Sequence, residues 1–213
     1  MAEDPGLFET IFSTRAMRRL KADPVPAELI EKILRAGQAA ANGGNIQSWG
    51  FIVVQDPAIK RQVQVYYQRA YDEFVRGYYA QNRAKQPPGE AQEKLERQEA
   101  AVRHLTEHFH EAPVWIVACV RDGLGKAAKG SGGSISPAVQ NMLLAARALG
   151  LGATLTTRHL LFAEEVDAIF GLPPGISSYA ILPIGYPLGR FGPVGRGPLA
   201  NVVYKDRWGQ AYF

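Results

Sequence analysis

Cysteine is nearly absent. Cys119 is the only one in 213 residues, so no disulfide forms within the chain. Long apolar runs are missing as well, and nothing approaches the ~18 residues that a membrane-spanning helix needs. The opening Met1–Gly6 is acidic and broken by Pro5-Gly6, without the basic start and apolar stretch of a secretory signal. These absences predict a cytoplasmic chain with no membrane partner. Histidine is scarce, with 4 in all. Only His159 lies outside the 104–110 cluster, and no G-x-S-x-G elbow exists, so no Ser-His-Asp set can be argued. The net charge of +4 comes from scattered basic residues. Nucleic-acid binding would need a clustered stripe with aromatics interleaved, and that partner is not expected.

Three motifs tempt and fail. Gly150-Leu151-Gly152 resembles a dinucleotide loop, but it follows a helical pattern, opens a strand, and has Leu at 155. Gly125-Lys126 follows a strand as a P-loop would, yet Val120 and Ala127 replace its Gly and Ser/Thr. His104-Leu105-Thr106-Glu107-His108 matches a zinc pattern that puts both histidines on one helix face. Its flanks are strongly polar and no downstream Glu stands out as a third ligand. An exposed charged helix is the better reading, and no metal is expected. Cys119 sits mid-strand among apolar residues, where a thiol is inert packing.

Hydrophobic content of 46% allows a sizeable core. Leu7–Ser13 reads as a short helix. Residues 26–41 read as a firm one, with Leu29, Ile30, Ile33, Leu34 and Gly37 at helical spacing. Phe51–Val54 and Val114–Val120 are apolar runs of strand length. Between them, residues 58–110 are mostly helical and broken at Gln86-Pro87-Pro88-Gly89, a helical hairpin. Asp122–Ser134 reads as a loop. Ser136-Pro137 then starts a buried helix as N-cap and first residue, and Gly150 ends it. A third strand over 153–157, a short helix over 163–170 and a fourth strand over 179–184 follow. Val202–Tyr204 is an edge-strand candidate. The sum is an α+β chain.

Three segments carry a family resemblance. The first is Ser13-Thr14-Arg15-Ala16-Met17-Arg18-Arg19-Leu20, similar to an Arg-Arg-Ser-x-Arg box. The second is Asn42-Gly43-Gly44-Asn45-Ile46-Gln47-Ser48-Trp49, similar to Pro-Ser-Gly-Gly-Asn-x-Gln-Pro-Trp. The third runs from Ser136 to Thr157, with Gln140-Asn141 and the Gly150–Gly152 exit. With Gly185-Tyr186-Pro187 and Arg196-Gly197-Pro198-Leu199, their order and spacing resemble the FMN-dependent nitroreductase family over nearly the whole chain, residues 66–110 excepted.

The resemblance implies one FMN-binding domain over 1–213, a nitroreductase-like sandwich with a central, mostly antiparallel sheet flanked by helices. It implies a homodimer with FMN at the subunit interface. Arg15, Arg18 and Arg196 match positions that grip the FMN phosphate, which calls for forked cationic donors. Ala16 stands where the family has Ser, so one hydroxyl contact is lost. Ser48 replaces Pro, and Val194 replaces a frequent Lys. Asn42, Gly43 and Asn45 match flavin contacts, where small residues permit close backbone approach. A helix C-cap with an Asn-Gly turn would use the same residues. Leu155, Thr156 and Thr157 match the strand whose backbone faces the ring. Gln47 and Trp49 are read as structural.

The implied reaction is ping-pong hydride transfer from NADH or NADPH, through flavin N5, to a small acceptor such as a nitroaromatic or quinone. No catalytic acid or base is required of the protein. The insertion at 66–110 would be a lid whose Tyr71, Phe74 and Tyr78 stack on the acceptor. Within the same superfamily, reductive dehalogenation and flavin cleavage stay open, as does a non-catalytic FMN-binding protein.

Overall fold

The computed structural model describes residues 5–121 and 128–213, with the side chains of 128–131 left aside. A four-stranded antiparallel sheet in the order β1-β2-β4-β3 forms its centre. The strands are β1 (Trp49–Val54), β2 (Val114–Arg121), β3 (Gly152–Ala153) and β4 (Ile176–Gly185). Helices flank it: α1 (Leu7–Ser13), α2 (Ala27–Gln38), α3 (Pro57–Ala70), α4 (Arg76–Lys85), α5 (Glu90–Glu107), α6 (Ala128–Ala148) and α7 (Ala163–Ile169). The class is α+β, as the sequence predicts.

Strand β2 explains the layering. Its side chains alternate between two cores, because successive residues of a strand face opposite ways. Val114, Ile116, Ala118 and Val120 join a core with α2 and α6, while Trp115, Val117 and Cys119 join one with α3 and α7. A strand covered on both faces has no polar side to show, hence its unbroken apolar run. In the first core α2 and α6 approach closely at Gly37, where an added Cβ would stand 2.8 Å from Met142 Cγ. Asn141 fixes that crossing by donating to the Ala36 carbonyl at 3.1 Å.

The residues between β1 and β2 form a helical hairpin. The α3 helix passes through a π-helical turn, Tyr71–Val75, into α4, breaks before Gly89, and returns as α5. The hairpin has its own small core of Tyr71, Tyr79 and Val102. Arg83 and Glu99 pair across it at 3.0 Å.

Four expectations need correction. Of the loop expected over 122–134, residues 128–134 are helical, while 122–127 lie outside the described residues. Consequently Ser136 and Pro137 sit inside α6 rather than at its start. The buried stripe Ile135, Ala138, Val139, Met142 and Ala146 runs at helical spacing across Pro137, with Ile135 already in the core before it, so packing outweighs the capping signal. The third strand stops at Ala153 and resumes only as a bridge between Thr156 and Ile181. In that shared register Pro183 stands opposite Thr154. Proline has no N–H to give there, so the ladder opens for two residues. Residues 202–204 form no strand: a 3-10 turn over Leu199–Asn201 precedes them, and Tyr204 bridges only to Ala211.

Candidate functional site

The site is assembled around the extended segment that follows α1. Met17 N–H donates to the Ala153 carbonyl at 2.9 Å, which fastens the segment to β3. Its other edge pairs with the tail: Leu188 N–H donates to Arg19 O, Lys21 N–H to Tyr186 O, and Val194 N–H to Phe12 O. Leu20 and Pro187 form a bridge in the same strap. Gly152 permits this closeness, since a Cβ there would lie 2.9 Å from both Leu20 Cδ2 and Met17 Cβ.

The arginines of this segment reach different surroundings. Arg15 donates to the Arg190 carbonyl at 2.7 Å and runs beside Gly192. Arg18 turns toward the hairpin and lines a cavity of about 150 Å³ with Leu20, His104, His108 and Leu188. Arg196 lies two residues beyond the Val194–Phe12 bond, its guanidinium donating to its own neighbour's Gly195 carbonyl. Neither Arg15, Arg18 nor Arg196 pairs with a carboxylate among the described residues. Their charge stands open to an anionic group. Ala16 is exposed beside them.

The loop after α2 is held in an uncommon backbone. Gly44, Asn45 and Gln47 have φ of 57°, 54° and 52°. Glycine takes that region freely and asparagine tolerates it, whereas glutamine does so rarely. Side chains stabilise the shape: Gln47 N–H donates to Asn42 Oδ1 at 3.0 Å, and Gln47 Nε2 to Asn45 Oδ1 at 3.2 Å. Gly43 N–H donates to Ser134 Oγ at 3.3 Å, tying the loop to α6. Asn42 and Gln47 therefore act as internal braces, with Gly43 and Asn45 exposed. Trp49 is buried in the first core and Gln47 lines an open groove of about 520 Å³ with Phe51.

Past the opened ladder, Leu155 is 42% exposed and Thr157 is exposed, while Thr156 turns inward. Both backbone groups of Thr156 are taken by Ile181, at 3.0 and 2.9 Å. The amides of Leu155 and Thr157 have no backbone acceptor among the described residues. Of the three, only Leu155 and Thr157 are exposed. Thr156 Oγ1 instead meets the Tyr67 hydroxyl at 2.9 Å.

The structure divides the three hairpin aromatics. Phe74 and Tyr78 are 50% and 62% exposed, while Tyr71 is buried with Tyr79 beneath them. Tyr71 packs inside the hairpin, and of the three only Phe74 and Tyr78 present exposed rings. Burial of Tyr67 and Tyr71 pushes both phenols up, so both are neutral.

Sequence reasoning missed two groups. Arg158, directly after Thr157, lies over the Tyr67 ring at 4.3 Å and near the Tyr71 ring at 5.6 Å. Its only sequence signal is its place at the end of the matched strand. Half-buried Asp167 also gathers with buried Ser178 and His159, although no such set is arguable from sequence. Ser178 Oγ donates to Asp167, and His159 Nε2 lies 3.0 Å from Ser178 Oγ. The serine sits in the middle, buried, with its proton directed at the carboxylate and not at the imidazole. This is structural bonding rather than a nucleophile with its base. Burial pushes the His159 imidazole down to about 4, which keeps it neutral. His104 and His108 stack with centroids 4.3 Å apart, and His108 Nδ1 meets Glu111 Oε1 at 2.9 Å. Arg18 lines the same cavity, a poor neighbour for a metal cation.

Comparison with known proteins agrees with this geometry. The nitroreductase family model matches residues 11–186, from the end of α1 to the start of the tail. An NADH dehydrogenase of Thermus thermophilus is 30% identical over 200 residues, covering 89% of this chain and 90% of that one. A 5,6-dimethylbenzimidazole synthase of Rhodospirillum rubrum is 32% identical over 181 residues, 81% of this chain and 78% of that one. The crystal structure of oxidized iodotyrosine deiodinase bound to FMN and 3-iodo-L-tyrosine superposes with a TM-score of 0.71 at 25% identity. That match covers 95% of this chain and 99% of the other. By the span of that match, the chain belongs to the nitroreductase family.

Proposed function

We propose that the chain is an FMN-dependent oxidoreductase that moves hydride from NADH or NADPH to a small conjugated acceptor, a nitroaromatic or a quinone. The observation that carries this reading is the strap of residues 15–21. It lies between β3 and the tail, and its arginines lack carboxylate partners among the described residues.

The donor set fits FMN. A phosphate dianion calls for forked cationic donors, and Arg15, Arg18 and Arg196 supply them. Ala16 and Val194 add neither hydroxyl nor charge. The exposed backbone of Gly43 and Asn45 and the unengaged amides of Leu155 and Thr157 suit the polar rim of a flat ring, with Leu155 as an apolar surface beneath it. FMN, when bound, supplies the hydride chemistry at N5, and no side chain need act as acid or base. The chain's own residues hold, orient and exclude water. The hairpin 66–110 acts as the lid, with Phe74 and Tyr78 as stacking faces.

Large exposed apolar residues on α1 and in the tail, Phe8, Phe12, Trp208 and Phe213 among them, support a homodimer with FMN at its interface. A second reading keeps the cofactor and changes the chemistry to reductive dehalogenation or flavin cleavage. The similarity to a deiodinase and to a dimethylbenzimidazole synthase favours it.

An absorption spectrum of the purified protein tests the proposal, followed by anaerobic NADH or NADPH. Flavin bands that bleach on addition and return with a quinone are the expected result. A protein that takes up no FMN would overturn the cofactor assignment. Bands that bleach but return only with a halogenated phenol, or flavin consumed in air, would favour the second reading.

A further inference from the structure

Four arginines of the described residues stack on aromatic rings, and three have an acid at hand. Arg69 over Phe162 pairs with Glu73 at 2.6 Å, Arg147 over Phe191 with Glu9 at 3.5 Å, and Arg76 by Tyr71 with Asp72. Arg158 has none. It is half-buried under the hairpin, on the 3-10 turn Arg158–Phe162 that follows the exposed Leu155–Thr157 strand.

We propose that Arg158 anchors an anion subsite beneath the α3–α5 hairpin, selecting acceptors that carry a carboxylate on a small aromatic ring. The inference rests on the proposed redox function, because it names that site's substrate class. Three observations support it. First, the guanidinium is clamped: its carbon sits 4.3 Å from the Tyr67 ring centroid, and Nη1 donates to Thr106 Oγ1, which itself donates to the Val102 carbonyl. A fork held in place loses little freedom on binding. Second, its remaining N–H donors take no acceptor among the described residues and are not sealed from solvent. Third, Arg18 adds a second cation nearby. Burial pushes the Arg158 pKa down; the phenols of Tyr67, Tyr79 and Tyr71 oppose it, and Arg18 adds a smaller push downward. A bound carboxylate would relieve both downward pushes, accepting two parallel bonds from the fork. The ring of such an acceptor would reach toward Leu155, with Phe74 and Tyr78 available to cover it.

The test is calorimetric titration of purified, FMN-supplemented protein with 4-nitrobenzoate and with uncharged 4-nitrobenzamide. Wild type is expected to bind the carboxylate about 10- to 100-fold more tightly, the range of a charge-assisted hydrogen bond. Arg158→Gln should bring the two ligands to parity. Arg158→Lys, which keeps the charge and loses the fork, should retain part of the preference, and it serves if the Gln variant fails to fold. Equal binding by wild type, or full discrimination in both variants, overturns the proposal. A loss of FMN affinity in Arg158→Gln with acceptor preference intact also overturns it, since the arginine would then serve the cofactor's phosphate. The nicotinamide bleaching experiment is separate. Discrimination without bleaching would sink the redox function and leave the subsite standing. Bleaching without discrimination would do the reverse.

Discussion

The Tyr67 hydroxyl and Thr156 Oγ1 lie 2.9 Å apart in the closed interior, joining helix α3 to the segment that follows β3. Tyr67 also stacks on Phe109 at 4.0 Å, and Phe109 on Trp115 at 4.2 Å. Tyr67→Phe should cost about 1–2 kcal/mol, the loss of one buried hydrogen bond. Tyr67→Ala should cost about 3–5 kcal/mol, because it empties the column. Urea unfolding of the two variants checks this. Equal losses would mean that the hydroxyl, not the ring, holds the helix.

Acid sensitivity should trace largely to His159. Its folded pKa is about 4, below the ordinary 6.5, so between these values the unfolded chain binds a proton that the folded one refuses. Stability therefore rises with pH through that window, is complete above about 6.5, and has lost on the order of 3 kcal/mol by pH 4. His104 is lowered by burial as well and adds in the same direction. His159→Gln should flatten the slope of unfolding free energy between pH 4.5 and 6.5. An unchanged slope would assign the sensitivity elsewhere.

Gly152→Ala should loosen the site without touching a polar group. The new Cβ would crowd Met17 Cβ and Leu20 Cδ2 at 2.9 Å and Pro187 Cβ at 3.1 Å. Overpacking of this kind costs about 1–3 kcal/mol. The strap that carries Arg15 and Arg18 would be pushed from β3, so FMN retention through gel filtration should fall as well. Stability lost with retention unchanged would separate the strap from cofactor binding.

Cys119 should resist thiol reagents in the folded protein. Burial raises its pKa to about 11, so little thiolate exists at neutral pH. Labelling with an aromatic disulfide at pH 8 is expected only at the pace of unfolding, and fast native labelling would contradict its place in the second core.

Much of the architecture was legible in local pattern. The β2 run, the α2 periodicity and the Pro87-Pro88-Gly89 break each reported their element, because one short segment carried the whole signal. What was missed depended on partners distant in sequence. Pro137 reads as a helix start, yet α6 begins earlier, where Ile135 already packs in the core. The interruption of the third strand is invisible in residues 153–157, because its cause is Pro183 across the ladder. The segments bearing Arg15, Asn45 and Leu155 were found by resemblance. Arg158 escaped because its distinguishing property, an aromatic platform without a neighbouring acid, exists only once α3 and α5 have folded over it.

The strap between residues 12–21 and 186–194 also bears on the order of events during synthesis. Its N-terminal half leaves the ribosome long before its partners, since three of its four backbone hydrogen bonds to other segments reach residues more than 160 positions later. Until that later stretch emerges, the early arginines have no edge to settle on, and β3, their other partner, is itself late. The strap is therefore finished only once residues 186–194 have been made. A chain stalled before residue 186 would hold both faces of its sheet but lack the edge on which the segment of Arg15 and Arg18 is fastened.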